Sequence, residues 1–185
     1  MFTYPQKILV SLMSFVAISF SSQLYSAITL VDEDKPMPNL GLLQDMDGND
    51  QLLEDYLTTD KWSVVMFWTS TCEVSNQYIE QYNQRLANPA NTNIQVLGIS
   101  LDGSDNKPAA SRFISQHGLS FTNLIGEYEN VSLFYRLLTG DEELLTPTFL
   151  LISPDGVLQA RQQGAVPAEM IIDFIDGESA SVANH

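Results

Sequence analysis

The run Val64-Val65-Met66-Phe67-Trp68-Thr69-Ser70-Thr71-Cys72-Glu73-Val74-Ser75 decides how this chain is read. Val64–Trp68 is a continuous apolar run, the pattern of a strand buried on both faces. Four residues after Trp68 comes the chain's single cysteine, followed by a polar stretch with helical spacing. A thiol at such a junction faces unpaired backbone N–H groups and the positive end of a helix dipole, both of which favour thiolate. Thiolate is the nucleophile of disulfide exchange. Ser75 stands three residues on, so Cys72 has no partner for a disulfide within its own chain.

Outward from that junction the pattern alternates. Ser75–Leu86 carries Ile79, Tyr82 and Leu86 at helical spacing and is stopped by Asn88-Pro89. Ile94–Ile99 reads as a second buried strand, closed by Ser100-Leu101-Asp102-Gly103. Pro108–His117 suits a helix with Phe113 and Ile114 inward; Phe121–Leu124 suits a short strand and Val131–Leu138 another helix. Thr148–Ser153 and Val157–Gln162 flank Pro154-Asp155-Gly156 as a hairpin. Pro167 opens a last helix reaching Ile175. Before the first strand, Asp47-Gly48 is a turn signal, Gln51–Leu57 fits a short helical turn, and Ala27–Met46 is a lead-in with Pro36 and Pro38. Strands alternating with helices and ending in a hairpin specify an α/β fold, a central mixed sheet with helices on both faces. With 185 residues, 44% hydrophobic, one domain is expected over 28–176, followed by a flexible tail over 177–185.

The N-terminus is separate. Lys7 precedes an apolar run, Ile8–Phe20, and then Ser21, Ser22, Ser26 and Ala27. This is the layout of a secretory signal peptide over 1–27, and the run is short for a membrane span. An uncleaved anchor is the alternative, and only then is membrane contact expected. The protein is therefore expected to be periplasmic or otherwise exported. A lone cysteine in an oxidising compartment is either buried and inert or free and reactive. The formal net charge of −15 argues against nucleic acid as a partner. His117 and His185 are far apart and with one cysteine form no metal-ligand cluster. Neither metal nor cofactor is expected.

Phe67-Trp68-Thr69-Ser70-Thr71-Cys72-Glu73-Val74-Ser75 resembles the Phe-Trp-x-x-x-Cys-x-x-Cys signature of the thioredoxin superfamily, with CxxS in place of CxxC. The surrounding blocks are most similar to exported TlpA/ResA-type thiol–disulfide oxidoreductases. The resemblance runs from Pro38 to Ile175 and includes Asp47-Gly48, Leu145-Thr146-Pro147-Thr148-Phe149 and Ser153-Pro154-Asp155-Gly156. It implies a thioredoxin-like fold, a cis-proline loop at Thr146-Pro147 facing the sulfur, and an extended substrate held by backbone contacts there. Cys72 and Ser75 are the expected catalytic pair, Ser75 donating to the sulfur as a second thiol would. Trp68, Thr146 and Pro147 are the expected substrate-binding residues, with Trp68 packing beneath the site. Exported proteins or small-molecule thiols and disulfides are the implied partners.

The departures shape the functional expectation. Met66 stands where thioredoxins carry a buried carboxylate, Tyr78 where TlpA/ResA-type enzymes often carry a glutamate, and Val74 where proline is common. Three functions follow. One is a monothiol reductase or isomerase working through a mixed disulfide. Another is a redox-inactive binding module using the groove at Pro147. The third is a peroxiredoxin-like peroxidase, for which Thr69 fits the threonine three residues before the cysteine, although Val65 replaces the expected proline.

Overall fold

The computed structural model describes residues 28–31, 43–141 and 143–183. The segment expected to be a signal peptide, the lead-in prolines Pro36 and Pro38, and His185 lie outside these residues. One eight-stranded sheet forms the centre, ordered β1-β8-β7-β4-β5-β6-β2-β3. Its members are β1 (Thr29–Leu30), β2 (Leu43–Gln44), β3 (Asp50–Gln51), β4 (Trp62–Trp68), β5 (Ile94–Ser100), β6 (Thr122–Gly126), β7 (Thr148–Ile152) and β8 (Leu158–Gln163). Strands β4, β5 and β6 run parallel, while β7, β8 and the short edge strands pair antiparallel. The sheet is mixed and the fold is thioredoxin-like α/β. The helices are α1 (Glu73–Arg85), α2 (Lys107–Gln116), α3 (Tyr128–Thr139) and α4 (Ala168–Ala183).

The central strand β4 explains the layering. All seven of its residues are buried, and alternate side chains enter opposite layers. Val64, Met66 and Trp68 join Ile79 and Tyr82 of α1, Phe113 of α2 and Ile171 and Ile175 of α4. Val65 and Phe67 join Val131, Phe134, Tyr135 and Leu138 of α3 on the other face. A strand covered on both faces cannot alternate in polarity, which is why the sequence shows an unbroken apolar run.

Gln51–Leu57 holds the expected short helical turn as a 3-10 turn, Leu53–Tyr56, whose Leu53 is buried. One local reading needs correction. The last helix does not stop at Ile175 with a frayed tail from 177; it continues to Ala183. The Trp62 indole Nε1–H donates to Ser179 Oγ at 3.1 Å, and Phe174 packs edge-on against the same ring at 6.0 Å. Tertiary contact with the start of β4 thus holds a segment whose glycine and serines make weak helix.

Candidate functional site

Strand β4 delivers the chain to one end of the sheet, and Thr69–Cys72 turns it into α1. The Cys72 N–H donates to Thr69 O at 3.2 Å, closing the turn. Cys72 is the N-cap of α1, with extended backbone angles of φ −74° and ψ 114°. Its sulfur accepts the Ser75 backbone N–H at 3.3 Å, taking the place a serine or aspartate oxygen takes in an ordinary cap. The thiol in turn donates to Thr146 O at 3.1 Å. Cys72 is partly exposed, so an external disulfide can reach it.

Partial burial works to raise the Cys72 thiol's pKa, but nearby donors outweigh it. The Ser75 hydroxyl, Thr146 and the backbone N–H groups of Ser75 and Val74 bring it below its ordinary value. The resulting bias is towards thiolate. The expected role of Ser75 is altered in detail. Its Oγ is fully buried and makes no hydrogen bond of good geometry. It lies close enough to favour the anion, while the directed bond to sulfur comes from the Ser75 backbone.

The opposing wall is the loop before β7. The Thr146–Pro147 peptide is cis, and Thr146 is half-buried. Pro147 is buried and its carbonyl accepts the Gly164 N–H at 2.8 Å, which ties the loop to the end of β8. Thr148 Oγ1 donates to Leu145 O at 2.7 Å. Further back, Gln163 Nε2 donates to Tyr135 Oη, Asp141 Oδ2 and Glu143 O, while Arg161 pairs with Asp141 at 2.7 Å. The loop is therefore anchored to α3 and β8. Val74, in the first turn of α1, and Leu145, in the loop, are exposed apolar residues close to the site in sequence, alongside the exposed Glu73.

Trp68 does not belong to the contact surface. It is wholly buried, stacked on Phe113 at 4.6 Å, and its Nε1–H donates to Asn123 Oδ1 at 3.1 Å. It supports the strand end from below, a correction to its expected part in substrate binding. Met66 is likewise fully buried, against Phe149 in the neighbouring strand, and brings no proton acceptor beneath the thiol.

Two residues that fix the turn escaped the sequence reading. Asp102, just beyond β5, accepts the Ser70 N–H at 3.0 Å, the Ser70 hydroxyl at 3.0 Å and the Ser100 hydroxyl at 2.7 Å. Asn76, one turn into α1, donates from Nδ2 to Ser70 O at 3.2 Å and Cys72 O at 3.0 Å. Spacing alone could have flagged Asn76, four residues after Cys72. Nothing in the sequence ties Asp102 to Ser70, because only the parallel pairing of β4 and β5 brings them together.

Among solved structures, the chain is similar to a secreted disulfide oxidoreductase of Mycobacterium tuberculosis described as homologous to Escherichia coli DsbE. That pair has a TM-score of 0.58 and 21% identity over 75% of this chain and 96% of the other. A DsbF homologue of Corynebacterium diphtheriae gives a TM-score of 0.62 and 19% identity over 85% and 97% of the two chains. StoA of Bacillus subtilis gives 0.56 and 16% over 72% and 93%. At these identities the likeness is one of fold. No curated protein matches the sequence significantly. The AhpC/TSA family model matches residues 34–161, the greater part of the chain including the Cys72 turn and the Thr146-Pro147 loop, and the chain belongs to that thioredoxin-like family.

Proposed function

We propose that the protein is an exported monothiol that carries out thiol–disulfide exchange through Cys72. The observation that carries this reading is the capped sulfur itself: partly exposed, bonded by the Ser75 N–H, and biased to thiolate. The Cys72 thiolate attacks one sulfur of a substrate disulfide, forming a mixed disulfide and expelling the other sulfur as thiolate. With Ser75 in place of a resolving cysteine, an external thiolate must then attack the mixed disulfide and release Cys72. The net change is exchange, with electrons supplied by the incoming thiol. The exposed apolar side chains of Val74 and Leu145 and the half-buried Thr146 suit an extended polypeptide carrying the disulfide. Export rests on the Met1–Ala27 segment; among the described residues no helix is long and apolar enough to cross a membrane.

Incubation of the full chain with a peptide disulfide, followed by acid quenching and mass spectrometry, tests this. An adduct on Cys72 that disappears on adding free thiol is the expected result. A thiol that stays free under these conditions overturns the reading. Family membership favours a second reading, peroxide reduction at the same sulfur. Dimedone trapping of a sulfenic acid after peroxide, faster than mixed-disulfide formation at equal oxidant, would make that reading the better one.

A further inference from the structure

We propose that Asn76 and His117 are positioning residues for Cys72, acting as a two-step clamp that reaches the reactive turn from the end of α2. This rests on the reading of Cys72 as the reacting atom. Asn76 Nδ2 donates to the carbonyls of Ser70 and Cys72, at either end of the turn. Those two acceptors fix which way the amide faces, since the flipped amide would set its oxygen against both carbonyls. Asn76 Oδ1 therefore points away from the turn, and His117 Nε2 meets it at 3.3 Å. His117 Nδ1 lies 3.3 Å from Glu80 Oε1, and the ring packs on Phe113 with centroids 4.6 Å apart. Both ring nitrogens thus face acceptors, and the tautomer that carries its proton on Nε2 donates to Asn76 Oδ1.

The clamp is built into the seam between two helices. Asn76, Glu80 and Asn83 lie along one face of α1 at helical spacing. Each receives the segment that ends α2: His117 sits on Asn76 and Glu80, while Asn83 bonds Gly118 O, the Ser120 N–H and the Ser120 hydroxyl. The His117 side chain is only 8% exposed while that of Glu80 is 63% exposed. The inner contact, to Asn76, is therefore the sheltered one. Holding Ser70 O and Cys72 O still keeps the cap in register, so that the Ser75 N–H stays on the sulfur.

The test is the pH–rate profile of iodoacetamide alkylation of the full chain, with a circular-dichroism melt for each variant. His117→Leu fills the ring's place on Phe113 but cannot donate to Asn76. It should alkylate about threefold more slowly at neutral pH, roughly one hydrogen bond's worth of anion support, with its midpoint moved upward. His117→Gln can present an amide donor to Asn76 and should restore the wild-type profile. The double variant Asn76→Leu/His117→Leu should be no slower than Asn76→Leu alone, because both act along one path. A wild-type profile for His117→Leu, equal slowing by Leu and Gln, or additive slowing in the double variant overturns the proposal. Should His117→Leu fail to fold, near-isosteric Asn76→Asp carries the test. A carboxylate cannot donate to Ser70 and Cys72, so an unchanged rate there overturns it too. Alkylation reads the thiolate directly. A chain that shows this pattern yet forms no mixed disulfide loses the exchange reading alone.

Discussion

The Ser75 hydroxyl is fully buried without a hydrogen-bond partner, a condition that costs about 1–3 kcal/mol for a polar group in an interior. The same hydroxyl is one of the groups that bring the Cys72 pKa below its ordinary value of 9.0, against burial, which acts to raise it. Stability and reactivity therefore pull in opposite directions at this one atom. Ser75→Ala removes the orphan hydroxyl while keeping the backbone N–H on the sulfur. It should raise the melting temperature, by about 1 kcal/mol of stability, and move the alkylation midpoint of Cys72 upward. In the wild type that midpoint should lie below 9.0. A midpoint unchanged by Ser75→Ala would remove the hydroxyl from the chemistry and leave the backbone cap as the source of thiolate.

At the scale of elements, β5 shows how closely the site's support is built. Gly98 pairs with Met66 of β4 on one side and Asn123 of β6 on the other. A Cβ at Gly98 would run into Asn123 Oδ1, Phe121 Cε2 and Trp68 Nε1. Gly98→Ala must therefore break the Trp68–Asn123 hydrogen bond or push the strands apart, and should cost about 1–3 kcal/mol in a denaturant titration. A loss of less than half a kcal/mol would mean that the layer under the turn yields easily. The same scale shows what the sequence could and could not convey. Strands β4, β5 and β7 and all four helices were legible because continuous apolar runs and helical spacing follow from burial itself. The two-residue strands β1, β2 and β3 were not. Their existence depends on partners far along the chain, such as Leu43 against Gly126 and Thr29 against Arg161. The end of α4 was missed for the same reason, since its anchor is Trp62. In the site, Cys72 and Thr146 were legible from local motif. Asn76's partner His117 lies 41 residues away and carried no local signal at all.

The whole molecule carries a formal charge of −15, and Glu73 sits exposed immediately beside the thiol. A field of that sign acts on any disulfide approaching Cys72 before contact is made. It repels anionic disulfides and gathers cationic ones, and salt screens it beyond a Debye length of about 10 Å at 0.1 M. The exposed apolar side chains of Val74 and Leu145 cannot make this distinction, because they respond to buried area and not to charge. Two small disulfides of similar size separate the effects: cystamine, a dication at neutral pH, and dithiodiglycolate, a dianion. At low ionic strength cystamine should form the Cys72 adduct about tenfold faster or more, after correction for their intrinsic reactivity with a free thiol. In half-molar salt the gap should close to within a factor of about two. Equal corrected rates at both ionic strengths would mean that the acidic surface does not reach the sulfur. Substrate choice would then rest with apolar contacts and the Thr146 backbone.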